Sequence, residues 1–212
     1  MKNLKQIIRE EYRKILQEQT QSGFIKTLRI RKVHGDFECG QNNLTSLKGA
    51  PSSVGGHFDC SDNNLTSLEG TPSSIGRNFY CVYNNLTSLK GAPSSVGGDF
   101  YCYNNDLTSL EGAPSSVGGH FDCHYSNLDS LFGAPTSVGG SFDCYNNNLD
   151  SLSDAPTSVG GNFDCSNNNL TSLEDAPSSV GMHFDCRSQK SGVKFTKEDV
   201  RKVSDVEGLI LT

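Results

Sequence analysis

Eight cysteines occupy positions 39, 60, 81, 102, 123, 144, 165 and 186, each 21 residues after the last, and the chain of 212 residues has no others. A fixed period of that length marks one structural unit copied and stacked, so the cysteines define a column through a solenoid. The rest of the repeat keeps the same register. A phenylalanine stands two residues before every cysteine, from Phe37 to Phe184, and leucines follow five and eight residues after it, from Leu44 and Leu47 to Leu170 and Leu173. All seven prolines fall in one column, from Pro51 to Pro177. The unit reads F-x-C-x-x-N-x-L-x-S-L-x-G-A-P-S-S-V-G-G-x from about Val33 to Cys186.

Alternation around F-x-C predicts a short strand with Phe and Cys on one face and the intervening residue on the other. Asparagine three residues after the cysteine turns the chain out of the strand, with an amide able to bond the backbone of the bend and the next rung. The leucines then return inward. Pro and Gly-Gly are expected to form the far side of the coil, where Pro excludes regular pairing and Gly permits tight turns. One coil alone cannot bury its Phe, Cys, Leu, Leu and Val, but stacked coils can. The fold expected is therefore a repeat solenoid, mostly β, with one short parallel strand per 21-residue coil and little helix on the convex side.

These residues resemble the leucine-rich repeat family, whose signature is L-x-x-L-x-L-x-x-N-x-L. Phe58 and Cys60 match the two inward strand positions, Asn63 the asparagine-ladder position and Leu65 the leucine after it. The short coil looks most like bacterial or phage-type repeats with an extended, proline-containing convex side. Val-Gly-Gly stands before the strand where that family has a leucine, Ser-Leu-x-Gly-Ala-Pro replaces its leucine-proline run, and Ser126 interrupts the asparagine column. The resemblance implies a fold rather than an activity.

The chain divides into four segments. Residues 1–22 are expected to form an amphipathic helix and linker, with Leu4, Ile7, Ile8, Tyr12, Ile15 and Leu16 on one stripe. That stripe could dock on the array, self-associate, meet a partner groove or lie on a membrane surface. Residues 23–36 read as an N-terminal capping strand, 37–187 as the solenoid, and 188–212 as a C-terminal cap of strand, helix and strand. Within that cap, Thr196 and Asp199 form a capping-box pattern, and Gly208 is expected to end the helical region. A net charge of −6 argues against broad nucleic-acid binding. No apolar run approaches a membrane span, and no secretion signal is legible, so a cytoplasmic or virion-associated setting is expected.

Function should sit where the repeat varies. The residue between Phe and Cys is Glu38, Asp59, Tyr80, Tyr101, Asp122, Asp143, Asp164 or Asp185. The two positions after Cys add Tyr103, His124 and Tyr145, then Tyr83 and Tyr125, so six of the seven tyrosines are expected on the concave face. Tyrosine offers apolar area, a polar tip and few rotors to freeze, which suits recognition, although aromatic residues also favour strands. The row of carboxylates repels itself and would welcome a basic surface. A straight column gives one carboxylate per rung, so no metal site is expected, nor any cofactor. His57, His120 and His183 share a column but are separated by 63 residues, too far apart to share a metal. No nucleophile, phosphate cradle or ligand cluster points to an enzyme. The cysteines are expected to be reduced, because parallel in-register neighbours strain a disulfide.

The preferred expectation is a non-catalytic protein-binding or scaffold solenoid with a Tyr-rich, acidic-flanked face. The alternatives are a purely structural protein packing rod to rod, or a secreted effector binding a host protein. The near-identical repeats and the leader Lys2-Asn-Leu-Lys-Gln-Ile-Ile-Arg-Glu-Glu-Tyr look similar to leucine-rich repeat proteins of large tailed phages. That likeness implies a virion-associated or host-interaction role.

Overall fold

A computed structural model describes residues 32–212. The expected helix over 1–22, and all but the end of the expected strand running to Val33, lie outside the described residues. Residues 32–212 form a parallel β-solenoid in which successive coils advance by 21 residues without stagger, so that Phe58 pairs with Phe79 and Ser53 with Ser74.

Each coil carries two short strands, not one. The serine–valine sheet has nine strands, β1 (Lys32–Val33), β3 (Ser53–Val54), β5 (Ser74–Ile75), β7 (Ser95–Val96), β9 (Ser116–Val117), β11 (Ser137–Val138), β13 (Ser158–Val159), β15 (Ser179–Val180) and β17 (Asp205–Val206). The phenylalanine sheet has nine more, β2 (Phe37–Glu38), β4 (Phe58–Asp59), β6 (Phe79–Tyr80), β8 (Phe100–Tyr101), β10 (Phe121–Asp122), β12 (Phe142–Asp143), β14 (Phe163–Asp164), β16 (Phe184–Asp185) and β18 (Ile210–Leu211). The expectation that proline keeps the far side unpaired fails for a local reason. Proline lacks only its own N–H, so pairing resumes one residue later, with Ser94 N donating to Ser73 O at 3.1 Å and Gly97 N to Ile75 O at 3.0 Å. Gly-Gly forms the corner between the two strands. There a Cβ on Gly76 would lie 2.3 Å from the carbonyl oxygen of Gly55, so this column must lack a side chain.

The core lies between the sheets. The Phe, Cys and two Leu columns are buried together with Val54, Ile75 and their equivalents. Successive phenylalanine rings are in contact, stacked or tilted, at centroid distances from 5.1 to 5.9 Å from Phe37 to Phe184. Removing one such ring leaves a cavity that both neighbours line, a loss of about 3–5 kcal/mol. All eight cysteines are free and buried. From Cys60 to Cys186 the thiols donate to the carbonyl one rung ahead, as Cys60 Sγ does to Tyr80 O at 3.3 Å and Cys123 Sγ to Asp143 O at 3.4 Å. Burial pushes these thiols well above their ordinary pKa, which keeps them protonated as donors.

Two side-chain ladders lock rung to rung. The first is the asparagine column. Asn63 Nδ2 donates to the carbonyls of Cys39, Cys60 and Ser61 at 3.0–3.1 Å, while its Oδ1 accepts from Asn42 N and Leu44 N. Asn84, Asn105, Asn147 and Asn168 donate in the same way. Ser126 replaces one rung with weaker bonds of 3.3–3.4 Å to His124 O and Cys102 O, and no described group accepts from Leu107 N. Gln189 ends the column, its amide bonding Cys165 O and Cys186 O and accepting from Leu170 N.

The second ladder has no single-residue signature in the sequence. The residue before each Phe accepts the backbone amide of the equivalent residue one rung later. Asp36 takes His57 N, His57 takes Asn78 N, Asn78 takes Asp99 N, and Asp99 takes His120 N. His120 then takes Ser141 N, Ser141 takes Asn162 N, Asn162 takes His183 N, and His183 takes Leu209 N. The three histidines are thus structural acceptors through Nδ1, with the neutral-ring proton on Nε2. Any acceptor side chain serves, which is why Asp, His, Asn and Ser alternate there.

The last coil is longer. Strands β17 and β18 pair 26 residues after their partners, Ser179 with Asp205 and Phe184 with Ile210. The extra length holds α1 (Lys197–Val203), whose N-cap Thr196 and Asp199 bond reciprocally as a capping box. The first strand expected in the 188–212 cap does not form at Val193, and the outer edges of β15 and β16 are taken instead by β17 and β18. Nor does Gly208 end the helix. Ser204 does so, its N–H donating to Val200 O, and Gly208 instead sits between β17 and β18.

Candidate functional site

The outward face of the phenylalanine sheet gathers all the expected site residues. In-register pairing sets Tyr80 beside Tyr101, and Asp122, Asp143, Asp164 and Asp185 on consecutive rungs. Among the six tyrosines and His124, ring contacts run without a break. Tyr80 and Tyr101 stack at 5.1 Å and 7°, and Tyr101 meets Tyr103 edge-on at 6.3 Å. His124 is sandwiched between Tyr103 at 4.4 Å and Tyr145 at 4.6 Å, with near-parallel planes. Tyr83 abuts Tyr103, and Tyr125 abuts both His124 and Tyr145, all edge-on.

The six tyrosines are not alike. Tyr80 and Tyr101 are tied into the second ladder, with Asn78 Nδ2 donating to the Tyr80 hydroxyl at 2.8 Å and the Tyr101 hydroxyl donating to Asp99 Oδ2 at 3.2 Å. Burial, with Asp99 next in effect, pushes the Tyr101 phenol up to about 12, and burial with Asp122 does the same to Tyr145. Both hydroxyls therefore stay protonated. Tyr83 and Tyr125 differ in two respects. They are 52% and 55% exposed, and their φ angles are +52° and +48°. Every rung takes a left-handed residue at this position, but elsewhere it is Gln41, Asp62, Asn104, Asn146, Asn167 or Ser188. Short polar side chains tolerate that backbone, whereas a bulky ring adds about 1 kcal/mol of strain. Two large exposed rings thus occupy the position that suits them least.

The carboxylates also separate. Asp122 Oδ1 lies 2.5 Å from His124 Nδ1. Asp164 Oδ1 accepts the Ser166 amide at 2.9 Å. Asp185, only 8% exposed, is gripped by Arg187 through Nε and Nη2 at 2.6–3.2 Å. Among the described residues, none donates to the Asp143 carboxylate. Burial, then Asp122 and Asp164 on either side, push its pKa to about 7, with His124 opposing. Asp164 is raised too, chiefly by burial, and less so because Ser166 bonds it.

Sequence reasoning missed the structural partners of this face. Gln189 stands three residues after Cys186, as Asn63 does after Cys60, and that offset was the available signal. Asn78 and Asp99 gave no signal, because a column mixing four residue types does not read as one.

Among the described residues, no group of three or more His, Cys, Asp and Glu side chains could hold a metal ion, and no helix is long and apolar enough to cross a membrane. The face is a continuous aromatic surface beside an acidic strip in which, among the described residues, no group donates to Asp143. Comparison with protein-family models, curated proteins and solved structures finds no match to the chain.

Proposed function

We propose that this solenoid is a non-catalytic recognition protein that binds a protein partner through the outward face of the phenylalanine sheet, in a cytoplasmic or virion-associated setting. The observation that carries this reading is the placement of Tyr83 and Tyr125, more than half exposed on left-handed backbone where other rungs use small polar residues. A residue kept for stability would not sit there, since the column's own asparagine costs less. The remaining tyrosines and His124 hold these two rings in place by edge contacts, which lowers the entropy lost on binding. A leucine-rich-repeat kinship is part of the same proposal. It draws on the asparagine ladder, the leucine after it and the inward Phe and Cys.

The test is capture of partners from the native source by the wild-type chain and by the double variant Tyr83→Asn, Tyr125→Asn. Asparagine already occupies this position in three rungs, so the variant keeps its fold. The expected result is at least a tenfold loss of the captured partner, with a deeper loss when Tyr103 is also changed. Unchanged capture would show that the rings are scaffold and overturn the reading.

A further inference from the structure

The C-terminal rung is open on its outer side. Strands β17 and β18 come last in the two sheets, and nothing among the described residues pairs with their outer edges. The repeat itself shows which groups are left over. On the phenylalanine sheet each rung donates forward, as Phe184 N does to Leu209 O at 2.9 Å and Cys186 N to Leu211 O at 3.0 Å. Ile210 N and Thr212 N, in the same two positions of the last rung, have no acceptor ahead of them. On the serine–valine sheet each rung accepts from the next, as Ser178 O does from Asp205 N and Val180 O from Glu207 N. Ser204 O and Val206 O, one rung on, have no such donor. An open edge of this kind is a template for one more strand.

A cleft of about 680 Å³ lies along this edge, lined by α1, β17 and β18. Its charge runs against that of the rod. Residues 32–212 carry ten Lys and Arg against 21 Asp and Glu, yet the cleft gathers Lys197, Arg201 and Lys202 against Asp205 alone. Lys202 is shared by Glu198 at 3.8 Å and Asp199 at 3.5 Å, whereas among the described residues neither Lys197 nor Arg201 has an acidic partner. Ser204 lines the same cleft. It stands in register with Ser178, whose hydroxyl donates to Thr157 O at 2.9 Å. Ser204 is only 6% exposed, and its own hydroxyl is the one buried side-chain oxygen or nitrogen among the described residues with no hydrogen-bond partner. A buried hydroxyl is costly to leave unpaired, and an acceptor brought by a ligand satisfies it. Beside it the acceptor column that precedes each Phe ends in Leu209, which has no lone pair to offer and is 60% exposed.

We propose that this cleft binds an extended acidic peptide segment of a partner protein, which adds a strand about 4.8 Å beyond the outer edge of β18. Carbonyls of the segment accept from Ile210 N and Thr212 N, its carboxylates lie against Lys197 and Arg201, and an apolar side chain covers Leu209. The Ser204 hydroxyl gains its acceptor from the same segment. Charge separates this occupant from a second copy joined through the same edge, since two such ends would bring their uncompensated cations together. The cleft is at the end of the rod and the tyrosines are on its side, so neither reading depends on the other.

The experiment titrates the full-length, 15N-labelled chain with a terminally blocked hexapeptide of alternating Glu and Val, up to about 1 mM. Two controls run beside it: the Lys–Val counterpart, and the Glu–Val peptide methylated on every amide nitrogen, which keeps its charge and cannot lie in a ladder. The readout is hydrogen exchange of individual amides by NMR. The expected result is that the Glu–Val peptide slows exchange at Ile210 and Thr212 at least fivefold and neither control does. The double variant Lys197→Glu, Arg201→Glu, changed at two exposed side chains, should lose at least tenfold in affinity. Thr212→Pro removes a donor that the fold does not use and should weaken the peptide at least fivefold. Absence of protection at the highest concentration overturns the proposal, and so does equal protection by either control. Slow exchange of both amides in the peptide-free chain, with a sedimenting mass of two copies, would overturn it by placing a second copy on the edge.

Discussion

The two sheets obey the same stacking rule and finish differently. On the serine–valine sheet the outward residue is serine in seven successive strands, from Ser53 to Ser179, and the hydroxyls one residue earlier bond backbone carbonyls one rung back, as Ser94 Oγ does to Ser73 O at 3.0 Å. On the phenylalanine sheet the outward residue changes from Glu38 to Asp59 to Tyr80 to Tyr101 and then to four aspartates. Inside, the two sheets are equally monotonous. The acceptor column before each Phe varies too, but there every residue meets one requirement, a lone pair for the next rung, so variation by itself is compatible with scaffold duty. We read the change from carboxylate to tyrosine on the outward face as a second demand acting there.

That contrast can be broken at its base. Asn147→Ala removes three donated bonds and leaves Ser126 N and Leu128 N without their shared acceptor, so about 3–5 kcal/mol of stability should be lost, read as a fall in the denaturant midpoint. A loss below 1 kcal/mol would mean that the ladders do not set the scaffold's demands. Asp143 tests the variable face. Its carboxyl holds a proton up to about 7 in the fold against an ordinary 3.8, so between those values the folded chain binds more protons than the unfolded one. The contribution of Asp143 to stability is accordingly fullest below about pH 4, falls as the pH rises to about 7 and is flat above. Asp143→Asn should reduce that slope and stabilise the fold at pH 8 by about 1–2 kcal/mol, measured by urea melts at pH 5 and 8. The raised Asp164 adds a residual slope of the same sign.

A smaller effect sharpens the contrast from within the scaffold. Ser126→Asn restores the missing ladder rung and gives Leu107 N an acceptor, a gain of about 1 kcal/mol visible as a higher melting temperature. The finest comparison pairs Tyr83→Asn with Ser95→Ala. The first should gain about 0.5–1 kcal/mol by relieving left-handed strain while weakening partner capture. The second should change stability by less than about 0.5 kcal/mol and leave capture untouched. Equal effects of the two on capture would erase the distinction between the faces.

Much of this was legible in the chain. Phe, Cys and Leu columns at one period, with asparagine between them, define the core, the parallel register and the asparagine ladder, because each position has a single chemical requirement. The second sheet was not legible, since Ser-Val is too short to show alternation and the proline just before it suggested an unpaired stretch. The His57, His120 and His183 column resisted for the opposite reason. Its requirement is one lone pair, which several side chains meet. The tyrosines could be placed on their face from spacing, but the division between bonded Tyr80 and Tyr101 and strained Tyr83 and Tyr125 depends on a backbone angle. The Asp62, Asn104, Asn146 and Asn167 that share the column were the only hint.

Because each rung pairs with the next at zero stagger, the length of this rod is a digital quantity. Gain or loss of one 21-residue coil between Phe58 and Cys165 would shift everything downstream by one strand spacing, about 4.8 Å, and leave every bond type intact. Changes of this kind on either side of the tyrosines would slide them along the rod in fixed steps, so their distance from either end can be reset without altering any rung.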